Sequence, residues 1–334
     1  MSDTPVTSDP SPPPEGRGET YAETPAPPRP PTPRASWSLR WRPSNLTLRL
    51  LTAAVLAPPV VWLCYVGGLP FVLVTTLFIA VGVNEFYDFI SVKGARPQRL
   101  LGVLAASSVP LIVYLGSPFV ATSFVTAFLL AVMILQLTKA QVTEAIASVS
   151  ATFFGVFYVG WLLSHAVFLR FIDQTLVAYG AEPNPQLGFF YVLFCLSVFT
   201  LCDSGAYFVG RRFGRRKLAP AISPNKTVEG ALGGLAVGTL GALAAKLVFD
   251  YLVPGDLSAG LSYTAAVGFG LAIAAVAILG DLVESVLKRD ADLKDAGRIL
   301  PGVGGVLDRI DSALMAFPVM YYLLLAYHSA LYRI

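Results

Sequence analysis

The chain has 334 residues, 55% of them hydrophobic and only 13% charged, with a formal net charge of +3 and a mean hydropathy of +0.65. Soluble domains carry roughly 25% charged residues. The composition therefore excludes a soluble globular protein and points to an integral membrane protein.

Residues 1–44 are rich in Pro, Ser, Thr and Glu. Such a stretch cannot bury a core and reads as a disordered cytoplasmic tail. It has no apolar run near its start and is not a cleavable signal peptide. Trp37, Arg40, Trp41 and Arg42 follow, an aromatic and basic edge of the kind found at a cytoplasmic membrane interface. Residues 45–334 then form the expected membrane-embedded domain. The fold expected is an all-α polytopic membrane protein of about nine transmembrane helices, near 47–66, 69–90, 100–116, 118–137, 147–169, 187–209, 230–251, 261–282 and 312–332. The third and fourth are short enough to be one re-entrant pair.

The connections order these spans. With the N-terminus inside, the cytoplasmic loops hold Lys93, Arg96 and Arg99, then Lys139, then Arg211–Lys226, then Lys288–Arg309. The opposite side keeps Arg170 and Arg333, as the positive-inside rule requires. The expected location is the cell membrane, with the active site on the cytoplasmic side. Gly230, Gly234 and Gly238 make two overlapping GxxxG steps and mark a close helix contact. His165 and His328 are isolated in apolar segments and read as hydrogen-bonded filler. Cys64, Cys195 and Cys202 read as small core residues, since Cys195 and Cys202 lie about two helical turns apart, too far for a disulfide. Histidine catalysis and zinc chemistry drop out.

Two charged blocks remain, both within 200–312. In the first, Asp203 and Tyr207 end an apolar span, and Arg211, Arg212, Arg215, Arg216 and Lys217 follow. An ionised residue inside a span is a functional hypothesis by default. Ser223-Pro224 with Glu229 beyond resembles a capped helix start, Ser at the N-cap and Pro at N1. With Lys226 and Thr227 alongside, it would make a phosphate site. In the second block, Asp281, Glu284, Ser285 and Lys288 fall at i, i+3, i+4 and i+7 and share one helical face. Asp308, Asp311 and Ser312 gather at the mouth of the last span. Carboxylates at the edge of hydrocarbon cost roughly 2.5–3.5 kcal/mol each unless a cation pairs with them. Lys, Arg or a bound Mg²⁺ would serve, Mg²⁺ favouring a few carboxylates plus substrate phosphates.

The sequence also resembles a family. Ser285-Val-Leu-Lys-Arg, Lys294-Asp295, Gly297, Leu300-Pro301, Gly304-Gly305 and Asp308-Arg309-Ile310-Asp311 are similar to the signature of the phosphatidate cytidylyltransferases (CDP-diacylglycerol synthases). The run from Asp203 and Tyr207 through Ser223-Pro224 and Lys226-Thr227 to Glu229-Gly230 resembles that family's second block. Val303 stands where the family usually has His, and Asn225 where it often has Lys. The resemblance implies cytidylyl transfer from CTP to phosphatidic acid, with Mg²⁺ and room for a second cation. It implies the lipid bilayer as a partner, no nucleic acid, and a homodimer as an open alternative. On this chemistry we expect Asp281 and Asp308 on the metal, with Asp311 and Asp203 as further ligands or near neighbours. Ser223, Lys226 and Thr227 would hold the CTP phosphates, with Tyr207 at the nucleotide. Lys288, Arg289, Lys294 and Arg309 would take the lipid phosphate or pyrophosphate. A CTP-dependent polyprenol kinase would use similar parts. A cation transporter would more often place its acids at mid-bilayer, and a CDP-alcohol phosphotransferase would need a motif the chain lacks.

Overall fold

The computed structural model describes residues 45–92, 94–139, 144–178, 182–255, 257–258, 260–293, 297 and 305–332. The tail at 1–44 and Lys93, Lys294, Val303 and Arg333 lie outside the described residues. The chain divides between Arg49 and Leu50, and the site and its supports belong to the unit Leu50–Ile334.

Helices dominate the described residues. In chain order they are α1 (Asn45–Val66), α2 (Gly68–Ser91), α3 (Arg99–Leu115), α4 (Pro118–Leu137), α5 (Ala145–Gly155), a π-helical turn (Val156–Trp161), α6 (Leu162–Arg170), α7 (Ile172–Ala178), α8 (Leu187–Phe213), α9 (Val228–Tyr251), α10 (Tyr263–Asp290) and α11 (Leu307–Tyr332). The hairpin strands β1 (Lys217–Ala219) and β2 (Ser223–Thr227) separate α8 from α9. Each expected span coincides with a helix. Among the described residues seven are long and apolar enough to cross a membrane: α2, α4, the continuous run Ala145–Arg170, α8, α9, α10 and Leu307–Ala330 of α11. Ala57–Val66 and Arg99–Leu115 are apolar but shorter. The short links use local caps. Gly116 ends α3 in the left-handed region, and the Ser117 hydroxyl accepts the Val120 N–H while Pro118 takes the first turn of α4.

The outward surface is apolar, as a lipid-facing one must be: Leu73, Leu77, Phe119, Leu137, Leu232 and Leu240 are all exposed. Inside, α8 packs most extensively on α9 and α9 on α10, with α11 against α10 and α6. The glycine stripe makes the α8–α9 contact. A Cβ at Gly230 would lie 2.9 Å from the Ala206 carbonyl, and one at Gly234 3.0 Å from that of Cys202. Backbones this close leave no room for a side chain. The three cysteines are free and buried. His165 Nδ1 lies 3.0 Å from the Trp161 carbonyl within its own helix, the filler role expected of it.

Arg170, a charge on the sparsely basic side, is 4% exposed. Its guanidinium donates to the carbonyls of Cys64 (2.7 Å), Pro185 (2.9 Å) and Tyr65 (3.1 Å). It thus satisfies the open C-terminal end of α1 and ties it to Pro185, just before α8. Arg170→Ala removes all three bonds and strands the buried Cys64 carbonyl beside two part-buried ones, so thermal or denaturant unfolding should show a loss of about 1–3 kcal/mol. An Arg170→Ala protein as stable as the parent would contradict this.

Candidate functional site

At one end of α8–α11 lies a cavity of about 680 Å³. Asp203, Tyr207 and Arg211 of α8 line it, with Ser223, Lys226 and Thr227 of the hairpin, Asp281 and Lys288 of α10, and Asp308 and Asp311 of α11. Most of the expected site residues therefore meet in one place. Glu284 joins them from behind: one oxygen each of Asp281, Glu284 and Asp311 lie within 4.8 Å of one another. A second cavity, about 250 Å³ between α3, α4 and the π-helical turn, is lined almost wholly by apolar groups and offers nothing to a phosphate.

The local geometry follows from the chain. Gly280 lets α10 and α11 touch, since a Cβ there would lie 2.7 Å from the Asp311 carbonyl. That approach sets Asp281, the next residue, beside the first turn of α11. Glu284, fully buried, comes one turn later. Lys288, one turn further, is within 2.8 Å of both Glu284 Oε2 and Asp308 Oδ1. Lys226 reaches across from the hairpin to Asp281 Oδ2 at 2.6 Å.

One expectation changes here. Ser223-Pro224 does not start a helix. Ser223–Thr227 pairs antiparallel with Lys217–Ala219, and α9 begins after Thr227, whose hydroxyl accepts the Gly230 N–H. Pro224 disfavours the α region for Ser223, and its missing N–H is harmless on the edge of a two-stranded ribbon. Glu229 lies in the first turn of α9, but its carboxylate accepts the N–H groups of Arg215 and Arg216 and so fastens the loop before β1. The three carboxylates that approach one another most closely include Glu284 as well as Asp281 and Asp311, while the oxygens of Asp308 are engaged by Lys288 and by the Gly305 N–H at 2.9 Å. The helical face at i, i+3 and i+7 includes Glu284, and that spacing is its signal in the sequence.

The expected cations divide. Lys226 and Lys288 line the cavity. Arg289 instead donates to the Ile222 carbonyl at 3.1 Å, fastening the hairpin turn to α10. Arg309 is exposed and is not part of the lining. Tyr207 is half-exposed and accepts a hydrogen bond from Arg211 at 2.9 Å. Lys294 lies outside the described residues.

The donor set suits a hard cation. Four aspartates and Glu284 gather against Arg211, Lys226 and Lys288 among the described residues, so negative charge is in excess. Glu284 Oε1 is buried without a hydrogen bond. All-oxygen ligation by a few carboxylates, with space beside it for phosphate oxygens, is the environment Mg²⁺ prefers.

The match to known proteins spans the same region. The model of the cytidylyltransferase family matches residues 47–327. The chain belongs to the cytidylyltransferase family. Among curated relatives, the phosphatidate cytidylyltransferase of Bacillus subtilis is 31% identical over 286 residues, covering 84% of this chain and 98% of the relative. That of Brucella melitensis is 35% identical, covering 83% and 93%, and that of Synechocystis is 32% identical, covering 83% and 95%. Nearly the whole length of each relative is thus represented in this member of the family.

Proposed function

We propose that this protein transfers the cytidylyl group of CTP to phosphatidic acid, leaving CDP-diacylglycerol in the bilayer and releasing pyrophosphate. The observation that carries the reading is one cavity, at the end of apolar helices, that joins the triad Asp281, Glu284 and Asp311 to Lys226 and Lys288. The relatives' names supply the substrates.

Phosphatidic acid is an anionic phosphate monoester. One of its oxygens attacks the α-phosphorus of CTP, and the bond from that phosphorus to the oxygen bridging to the β-phosphate breaks. No protein nucleophile is required. The demand is to hold two polyanions together and to stabilise charge moving onto pyrophosphate. Asp281, Glu284 and Asp311 would hold Mg²⁺, which when bound supplies charge neutralisation at the phosphates. Asp203, on the facing wall, would serve a second cation. Lys226 Nζ is ion-paired to Asp281 at 2.6 Å but makes no hydrogen bond, so its three donors would be open to a phosphate of CTP. The Ser223 and Thr227 hydroxyls flank it, and Lys288 orders Glu284 and Asp308 while facing the same space. The acyl chains stay among the exposed apolar side chains of the helices.

The test is CDP-lipid formation by the purified protein from CTP and phosphatidic acid, with and without Mg²⁺. Product should require all three, and phosphorylation of a polyprenol instead would overturn the reading. In the same assay Lys226→Ala should cost CTP-dependent kcat/KM tenfold or more while shifting thermal stability little, because a partly exposed ion pair contributes about 0–1 kcal/mol whereas a charge-assisted phosphate contact is worth more. Wild-type kinetics would leave Lys226 as an orientation signal only.

The same reading puts the cavity on the cytoplasmic side, where CTP is, in keeping with the basic loops around Arg211–Lys226. Single cysteines placed at Arg215 and at Asp292, on a cysteine-free background, should resist an impermeant thiol reagent in intact cells. Labelling of either position would contradict this orientation.

A further inference from the structure

We infer that Glu85 is a positioning residue for the acidic site, holding the first turn of α11 so that Asp311 stays opposite Asp281 and Glu284. The inference rests on the metal role proposed above for that triad.

Glu85 belongs to α2, which contributes nothing to the cavity lining, yet it is an acid only 1% exposed within an apolar span. Its Oε2 accepts the Leu307 N–H at 2.8 Å, a contact across 222 positions of sequence. Leu307 is the first residue of α11, so the bond caps a helix start whose N–H groups have no partner in their own helix. A carboxylate there also opposes the positive end of the helix dipole. Between α10 and α11, the described residues Gly297 and Gly305 lie against the same group. A Cβ at Gly305 would lie 2.7 Å from Glu85 Oε2, and one at Gly297 would overlap Oε1. One turn earlier on α2, a Cβ at Gly82 would meet the Ile310 side chain at 3.3 Å. One face of α2 therefore seats the turn that carries Asp308 and Asp311.

The alternative is an acid that serves packing alone. The two roles differ in whether the seat governs the carboxylates beyond it. Asp308 answers the Gly305 N–H and Lys288, and Lys288 answers Glu284, so a shift of this turn moves Asp308 and Asp311 together relative to Glu284 and Asp281. Loss of a packing acid lowers stability and leaves the cation affinity of the folded protein alone. Loss of a positioning acid changes that affinity.

The experiment uses the purified full-length protein with Mn²⁺ as probe, binding followed by electron paramagnetic resonance, beside thermal melting. Glu85→Ala should weaken Mn²⁺ binding by the folded protein at least tenfold. Glu85→Gln, whose side-chain carbonyl still accepts the Leu307 N–H, should fall between that variant and wild type. Gly305→Ala presses a methyl group on the same carboxylate from the other side and should resemble Glu85→Ala, which keeps the question open to decision if the latter does not fold. Wild-type affinity in Glu85→Ala, or in Gly305→Ala where only that variant folds, overturns the inference and leaves the metal reading standing. Absence of Mn²⁺ binding by the wild-type protein overturns the metal reading and the inference with it.

Discussion

A fully buried carboxylate at the end of a hydrophobic helix needs a cation, and the arrangement of this site depends on how that need is met. Glu284 is inaccessible to solvent, and Lys288 one turn away answers it at 2.8 Å. Taking either charge out of water costs several kcal/mol, recovered only where geometry and hydrogen bonding are good. Lys288 recovers it twice, because the same ammonium reaches Asp308 on α11. The bridge joins the helices on either side of the loop. It also leaves Glu284 Oε1 without a hydrogen bond beside Asp281 and Asp311, so one lysine does not exhaust the negative charge. In the proposed reaction that surplus is what would draw a divalent cation to the site.

Close backbone approach supplies the rest of the geometry. The glycine stripe on α9 draws α8 against it and so brings Asp203 to the wall facing α11. Gly280 does the same between α10 and α11. The hairpin closes the cavity: Glu229 fastens its entry, Arg289 its turn, and Thr227 starts α9 directly behind Lys226. Small residues set the distances and charged residues fix the loops, each using the contact its chemistry makes best.

Much of this is legible in the sequence. Hydrophobic runs locate the helices, and the stripe at 230, 234 and 238 announces a tight contact that the structure places on α8. The spacing of Asp281, Glu284 and Lys288 gives one face, and the structure realises it as an ion pair. The features that the sequence does not reveal depend on distant partners. Ser223-Pro224 satisfies a helix start and an edge strand equally well, and pairing with Lys217–Ala219 decides between them. Asp308 and Asp311 lie three apart on one helix, so only the crossing of α10 selects Asp311 for the triad. Arg289 sits in a basic run whose members look alike until the hairpin turn claims its guanidinium. Glu85 has a backbone amide as its partner, which leaves no pattern in sequence.

The site stands or falls on whether Asp281, Glu284 and Asp311 form one cation site while Asp308 serves Lys288 and the loop. Thermal melting of Asp281→Asn and Asp308→Asn across a Mg²⁺ titration separates the two roles, because a ligand bound to the folded state alone raises its stability as ligand concentration rises. Asp281→Asn should melt near wild type without Mg²⁺ and gain little from it. Asp308→Asn should melt lower, having stranded part of the Lys288 charge, yet keep the Mg²⁺-dependent rise. The reverse pattern, with Asp308→Asn losing the rise and Asp281→Asn keeping it, would contradict the assignment.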